Sequence, residues 1–226
     1  MTKVLLLGKD GRTDCLAEVL TSGGAALYAM CDYRHPGLRR KAVQFRHART
    51  DDPAQVLDFA REVKPDLAVI GPEDPLAAGV VDALQGIGIP SVGPTRQLAQ
   101  LESSKAFTRR LLTEFDLPGN VEYRVFSSMD GLEPYLRHLG QFVIKPDGLT
   151  GGKGVKVSGE HLPTIESALQ YASELLSAGG VVVEEKLDGE EFSLQSFCDG
   201  DTVVDTIPVQ DHKRAGEDDT GPNTGG

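Results

Sequence analysis

The 226-residue chain has few cysteines, little positive charge and no long apolar run, and each shortage excludes a class of protein. Its three cysteines, Cys15, Cys31 and Cys198, are widely spaced without a metal-ligand pattern, which favours a reduced cytoplasmic setting. The 23 Lys and Arg against 34 Asp and Glu give a net charge of −11, which argues against non-specific nucleic-acid binding. A local basic loop on such an acidic protein can still bind a nucleotide.

No stretch approaches the length of a membrane span, and the first residues lack the pattern of a secretory signal. The hydrophobic content of 39% and the charged content of 25% are ordinary for a soluble globular protein. At this length the chain can bury a sizeable core in one or two domains.

The first hundred residues alternate between strand and helix patterns. Strands are predicted at KVLLLG, AALYAM, DLAVIG and IPSVG, with helices over 12–22, from Pro53 onward and over 75–84. This alternation predicts a parallel sheet with right-handed crossovers. Ligands of such sheets bind beyond the carboxyl ends of the strands, so the loops after LLLG, VIG and SVG are expected at one edge.

A second pattern begins at Ser103 and predicts an α+β domain. Helices are expected over 103–115, 128–139 and 163–176, and strands at VEYRVF, QFVIKPDG, GVKVSG, GGVVVEEKL, EEFSLQSFCDG and DTVVDTIPV. Strands joined in this way suggest antiparallel pairs with helices on one face. The boundary between the two patterns is expected between Ser91 and Ser103.

The segment KPDGLTGGKGV, residues 145–155, lies between two predicted strands. It is not a P-loop, because Asp147 stands where that motif has glycine and Gly154 follows Lys153. It is not a dinucleotide fingerprint either, because a strand pattern follows it. Glycines let backbone N–H groups approach phosphate oxygens and lysines supply charge, so phosphate binding is favoured over a simple hairpin turn.

Three further segments each admit two interpretations. In VVVEEKLDGEE, backbone groups near Glu185 and Leu187 meet an adenine edge and Glu191 binds ribose hydroxyls, or the segment is a solvated strand edge. In GPEDPLAAG, Asp74 is expected to cap a helix before Pro75, which leaves room for a second role at the ligand edge. The polar end QDHKRAGEDDTGPNTGG is an exposed terminus or a ligand-binding segment, since residues 211–214 directly follow a strand.

Four segments resemble the phosphoribosylamine–glycine ligase family of de novo purine synthesis: GPEDPLAAG (71–79), GPTRQLAQLESSKAF (93–107), KPDGLTGGKGV (145–155) and the polar end (210–226). The resemblance covers nearly the whole chain, and the last segment is the most specific. It implies an α/β parallel-sheet N-terminal (pre-ATP-grasp) domain over residues 1–102. An α+β ATP-grasp domain, incomplete at its C-terminus, would follow over residues 103–226.

The resemblance implies a cytoplasmic ligase and assigns roles to individual residues. ATP, glycine and 5-phosphoribosylamine would give ADP, phosphate and glycinamide ribonucleotide through glycyl phosphate. The ATP-binding residues would be Lys105, Lys145, Gly151, Gly152, Lys153, Gly154, Glu184, Glu185, Leu187 and Glu191, with GLTGGKGV as a flap over the triphosphate. The substrate-binding residues would be Gly8, Gly11, Arg12, Pro72, Glu73, Asp211, Lys213, Asn223 and Thr224. The catalytic residues would be Lys145, Lys213, Asp219 and Asn223.

Two departures from the family pattern open alternatives. The first loop reads GKDGRTDC where the family has Gly-x-Gly-Gly-Arg-Glu-His, so Asp10 puts a carboxylate where an anion should bind. The family's chain also continues beyond GPNTGG with the ligands of Mg²⁺ (or Mn²⁺), so no metal ligand is assigned here. We therefore expect an N-terminal fragment that is inactive alone, with an unfinished sheet edge that favours self-association. The alternatives are a non-catalytic ATP-binding module and an ATP-grasp ligase with another amine or acid.

Overall fold

The computed structural model describes residues 1–150, 154–210, 212, 214–218 and 220–222. Contacts between Cα atoms divide the chain into two compact units. Unit 1 contains Met1–Asn120 and Asp147–Leu149, and unit 2 contains Val121–Pro146 and Thr150–Gly226. The domain division at residue 102 stays a prediction. Within the described residues, no helix has the length and apolar character needed to cross a membrane.

Unit 1 is built around a five-stranded parallel sheet, as the alternating pattern predicted. In sheet order its strands are β3 (Gln44–His47), β2 (Ala26–Cys31), β1 (Lys3–Leu7), β4 (Leu67–Ile70) and β5 (Ser91–Val92). The helices are α1 (Gly11–Ser22), α2 (Pro36–Lys41), α3 (Pro53–Val63), α4 (Glu73–Ala77), α5 (Val80–Gln85), α6 (Gln100–Ser103) and α7 (Lys105–Glu114). The short elements α2 and β3 were not predicted.

The central strand β1 is buried on both faces, which explains its continuous apolar run. Leu5 and Leu7 pack on one face with Phe59 of α3, whereas Leu6 packs on the other face with Ala17 of α1. Successive strand side chains point to opposite faces, so helices on both sides of the sheet require apolar residues at every position. The carboxyl ends of β1, β2 and β4 meet at one edge.

The predicted helix over 75–84 is wrong. Gly79 has a φ of 84°, a left-handed conformation that divides the segment into α4 and α5. The prediction that Asp74 caps the helix is also wrong, because α4 already begins at Glu73 and its N-cap is Pro72. Asp74 therefore lies in the first turn, where its side chain can turn toward the edge of the sheet.

Unit 2 contains a four-stranded antiparallel sheet covered by two helices. In sheet order the strands are β6 (Tyr123–Phe126), β9 (Val181–Glu185), β7 (Phe142–Pro146) and β8 (Lys156–Val157). The helices α8 (Leu132–Leu139) and α9 (Ile165–Leu176) share a core with this sheet, in which Leu136 and Ala172 contact the face that carries Ile144 and Val183. The predicted antiparallel pairing is confirmed.

The two long strands predicted after β9 are much shorter in the structure. They are reduced to β10 (Ser196–Cys198) and β11 (Val203–Asp205), which form a separate antiparallel pair. The turn between them is closed by Asp199, whose Oδ1 accepts hydrogen bonds from the backbone of Asp201 and Thr202. All six strand residues are exposed, so this pair has little apolar packing to extend it.

Candidate functional site

An ion pair in unit 2 joins Lys145 of β7 to Glu184 of β9. Val143 lies opposite Glu184 and Lys145 lies opposite Val182, so the two charged side chains are diagonal neighbours on one sheet face. Lys145 Nζ lies 2.5 Å from Glu184 Oε2, and the two side chains are 23% and 5% exposed. A carboxylate this deeply buried is costly unless a cation compensates it. The pair therefore holds the lysine ammonium in place on the sheet.

The end of β9 carries the residues predicted for adenine and ribose. The Glu185 backbone N–H donates to Glu122 O at 2.9 Å, and Glu185 Oε1 accepts from Glu122 N at 2.8 Å. These bonds fix the strand end beside β6. Leu187 and Glu191 follow on exposed chain, and Leu187 is 69% exposed. The structure thus brings Glu184 and Glu185 together at the strand end and leaves the other two on the segment beyond it.

Gly154, at the end of the glycine-rich segment, is held by α9. Its carbonyl accepts a hydrogen bond from Tyr171 OH at 2.7 Å, and Lys156 Nζ lies 3.8 Å from the centroid of the same ring. Gly154 has a φ of 92°, and an added Cβ would lie 3.1 Å from Pro146 Cγ, so the position requires glycine. Burial, with a contribution from Glu174, raises the pKa of Tyr171, which keeps its hydroxyl protonated as a donor.

Lys105, the other lysine predicted to contact phosphate, belongs to unit 1 and begins α7. Its Nζ donates to Gly148 O at 2.8 Å. Asp147 lies beside it, and Asp147 Oδ1 accepts from Ser104 Oγ at 3.1 Å and from Ala106 N at 3.2 Å. Asp147 and Gly148 are therefore bound to the N-terminus of α7 within unit 1.

The first loop forms a closed hydrogen-bonded turn around Asp10. Asp10 is the N-cap of α1, and its Oδ1 accepts from Thr13 N at 2.9 Å and Thr13 Oγ1 at 2.8 Å. Arg12 forms an ion pair with Asp10 Oδ2 at 2.7 Å. Burial acts to raise the pKa of Asp10, but the hydrogen bonds from Thr13 and Arg12 outweigh it and lower that pKa. Gly8 is required here, because an added Cβ would lie 2.2 Å from Thr13 Oγ1.

A charged cluster lies at the carboxyl ends of β1, β2 and β4. Lys9 Nζ lies 3.1 Å from Asp74 Oδ2 and 4.0 Å from Asp32 Oδ2. The hydrogen bond to Asp74 raises the pKa of Lys9 despite the opposing effect of burial. Asp32 Oδ1 also accepts from Thr50 N at 2.8 Å. Of the predicted residues, Pro72 is the N-cap of α4 and Glu73 is its first residue, next to Asp74 of this cluster.

Several predicted site residues lie outside the described residues, and their roles stay predictions. They are Gly151, Gly152, Lys153, Asp211, Lys213, Asp219, Asn223 and Thr224. Of their described neighbours, Arg214 pairs with Glu160 at 3.1 Å and donates to Gly221 O at 2.9 Å. Within the part of the chain that the structure describes, no group of three or more His, Cys, Asp or Glu side chains could hold a metal ion.

Sequence reasoning missed the capping roles of Ser104 and Asp147 and the ion pairs of Lys9, although it allowed Asp74 a second role at this edge. One signal was readable: a serine directly before a helical pattern, as at Ser104, is an N-cap signature. Asp147 carried no such signal, because its partners lie 41 and 43 residues earlier in the chain.

Two family models together match nearly the whole chain. The model described as the phosphoribosylglycinamide synthetase ATP-grasp (A) domain matches residues 103–226, so the Lys145–Glu184 sheet belongs to an ATP-grasp protein. The model described as the phosphoribosylglycinamide synthetase N domain matches residues 2–102. The chain belongs to the phosphoribosylglycinamide synthetase family, which confirms the resemblance seen in its motifs. ATP-grasp ligases as a class use ATP and a divalent metal ion.

Individual relatives agree with this assignment. The chain is 46% identical over 228 residues to the phosphoribosylamine–glycine ligase of Pyrococcus furiosus, with 100% of this chain and 52% of the relative covered. It is 44% identical over 225 residues to the enzyme of the same name from Methanococcoides burtonii, covering 99% and 52%. The crystal structure of the Thermotoga maritima phosphoribosylamine–glycine ligase superposes with a TM-score of 0.78 at 25% identity, covering 99% and 54%. The chain spans about half the length of the curated relatives it matches.

Proposed function

We propose that this chain belongs to an ATP-dependent ligase that joins glycine to 5-phosphoribosylamine and releases glycinamide ribonucleotide, ADP and phosphate. The observation that carries the proposal is the Lys145–Glu184 pair, which fixes an ammonium on the sheet face of an ATP-grasp domain. The names of the relatives, at 42–46% identity over nearly the whole chain, support the choice of substrates.

The proposed reaction has two steps, and neither forms a covalent bond to the enzyme. A glycine carboxylate oxygen attacks the γ-phosphorus of ATP and expels ADP, which gives glycyl phosphate. The amine of 5-phosphoribosylamine then attacks the glycyl carbonyl carbon, loses a proton and expels phosphate. Lys145 and Lys105 bind phosphate oxygens and stabilise the negative charge on the transferred group. This role suits Lys145, because its ammonium has three N–H donors and, among the described residues, donates a hydrogen bond only to Glu184.

The remaining proposed ATP contacts come from the end of β9, the segment after it and the glycine-rich loop. Glu185 and Leu187 meet the adenine edge through their backbone groups, and Glu191 binds the ribose hydroxyls. The glycines and Lys153 of the loop cover the triphosphate and exclude water from the acyl phosphate. Mg²⁺ (or Mn²⁺) would neutralise phosphate charge, but the described residues contain no cluster that fits it.

The substrate's phosphate is proposed to bind at the first loop and at the start of α4. The residues proposed to bind it are Gly8, Gly11, Arg12, Pro72 and Glu73. Asp10 does not offer an uncompensated charge there, because Thr13 and Arg12 donate to its carboxylate. Asp211, Lys213, Asp219, Asn223 and Thr224 complete the proposed substrate and catalytic groups.

A second candidate is an ATP-grasp ligase for another amine or acid. The observation that favours it is a pair of carboxylates at the proposed phosphate site, Asp10 of the first loop beside Arg12 and Asp74 of α4 beside Lys9. A partner with a cationic or hydroxyl-rich group would meet less repulsion there than a phosphate would.

The test measures ADP release by the whole protein that the gene encodes. With glycine and 5-phosphoribosylamine we expect release that requires both compounds, and a product with the mass of glycinamide ribonucleotide. Faster release with another carboxylate or amine would favour the second candidate. ATP binding without turnover on any pair would favour a non-catalytic module. Lys145→Ala should abolish ATP binding, whereas Lys41→Ala, which removes a lysine paired in unit 1, should leave it unchanged.

A further inference from the structure

Helix α7 begins with an electrostatic mismatch. Its first residue is Lys105, and its first turn contains no acidic side chain. The N-terminus of a helix carries the positive end of the helix dipole, so a lysine there is unfavourable and a carboxylate is favourable. A lysine at a helix N-terminus is expected only where another group compensates its charge or where function requires it.

The compensating group is Asp147, which lies directly after the β7 strand that carries Lys145. Ser104 Oγ donates to both carboxylate oxygens of Asp147, at 3.1 and 3.3 Å, and Ala106 N donates to Oδ1 at 3.2 Å. Ser104 already caps the helix through Phe107 N at 3.1 Å. Asp147 is therefore a second cap, and it binds the residue on each side of Lys105.

The next residue along the chain fixes the side chain of that lysine. Gly148 O accepts from Lys105 Nζ at 2.8 Å. Gly148 has a φ of 119°, which side-chain-bearing residues rarely adopt, so glycine is needed to turn this carbonyl as it is. Asp147 and Gly148 thus hold Lys105 at its backbone neighbours and at its ammonium. All of these residues lie in unit 1.

We propose that Asp147 is a positioning residue that acts through Lys105: its carboxylate holds the start of α7 so that the Lys105 ammonium is set for a phosphate oxygen of ATP. The inference rests on the proposed ATP site and adds a residue that does not itself touch the nucleotide. A carboxylate beside a phosphate site is otherwise unfavourable. Two donors, the Ser104 hydroxyl and the Ala106 N–H, compensate its charge together with the helix N-terminus.

The experiment is a double-mutant cycle on the Kd for ATP. Losing one charge-assisted hydrogen-bonded contact should raise that Kd about tenfold in Asp147→Ala. Asp147→Asn keeps an acceptor for Ala106 N and should raise it less. In a Lys105→Ala background, Asp147→Ala should have no further effect, because the residue through which it acts is gone. Hydrogen exchange of the Ala106 amide without nucleotide should speed up in Asp147→Ala.

Asp52→Ala is the matched control, because Asp52 caps α3 in the same unit by accepting from Ala54 N and Gln55 N. It should lower the melting temperature and leave the Kd for ATP unchanged. The inference would be overturned if Asp147→Ala raised the Kd for ATP by the same factor with and without Lys105. It would also be overturned if Lys105→Ala raised that Kd and Asp147→Ala left it unchanged. If neither Lys105→Ala nor Lys145→Ala changes the Kd, the ATP site itself is wrong, and the inference falls with it.

Discussion

Replacing Lys145 with methionine keeps most of the side-chain length and removes the ammonium that compensates Glu184. Breaking a buried ion pair costs about 3–5 kcal/mol, and breaking an exposed one costs about 0–1 kcal/mol. The Glu184 side chain is only 5% exposed, but the Lys145 side chain is 23% exposed. Water reaches one partner and not the other, so we expect Lys145→Met to lower the free energy of unfolding by about 2–4 kcal/mol.

Urea unfolding followed by far-UV circular dichroism measures this loss, since the chain has no tryptophan to report by fluorescence. Hydrogen exchange of the β7 and β9 amides then localises the loss to unit 2. Lys41→Met is the matched control. The Lys41 side chain is 21% exposed, a fraction similar to that of the Lys145 side chain, but the side chain of its partner Asp14 is 37% exposed. Because that partner is solvated, the control should lose clearly less stability.

The double variant Lys145→Met/Glu184→Gln tests whether the buried charge of Glu184 causes the loss of stability. An amide removes the buried charge, so the double variant should recover part of the stability lost in Lys145→Met. A double variant as unstable as Lys145→Met would refute the argument that buried charge causes the loss. A loss below about 1 kcal/mol in Lys145→Met would show that the pair behaves as an exposed salt bridge.

Three further predictions concern local contacts. Hydrogen bonds lower the pKa of Asp10, so its contribution to stability is full above its ordinary value of 3.8 and is lost as the pH falls through the lowered value. The melting temperatures of Asp10→Ala and the wild type should therefore differ most near neutral pH and converge in acid. Gly37→Ala would place a Cβ 1.9 Å from Asp14 Oδ1, so it should lower the melting temperature, and Asp14→Ala should relieve much of that loss. Tyr171→Phe removes the hydrogen bond to Gly154 O and should cost about 0.5–1.5 kcal/mol of unfolding free energy, measured by urea unfolding.

The parallel sheet of unit 1 could be predicted because its buried strands alternate with well-marked helices. Leu5, Leu6 and Leu7 form a continuous apolar run, and Asp52 followed by Pro53 marks a helix start that the structure confirms. The single helix over 75–84 could not be corrected from its pattern, because both halves have apolar residues at helical spacing. Only the backbone at Gly79, with its φ of 84°, shows the break.

The candidate site could be predicted where single motifs carry it and not where distant residues meet. The glycine-rich segment and the end of β9 are each contiguous, so Lys145 and Glu185 were named from their sequence neighbours, and Glu184 from the family resemblance. Their pairing depends on strand register, which places Lys145 opposite Val182. The strands predicted after β9 were too long, because the alternating pattern of β10 and β11 is not matched by burial.

The second cap on α7 also sets an order of events during synthesis of the chain. Ser104 can cap the helix as soon as Phe107 has been added, but the Ala106 N–H obtains its partner only when Asp147 arrives, 41 residues later. At about 5–20 residues per second, the ribosome needs about 2–8 seconds to supply it. During that interval Lys105 stands at the start of the helix with no carboxylate from Asp147 beside it. The second cap of α7 therefore forms only after the chain has been made through β7 and Asp147.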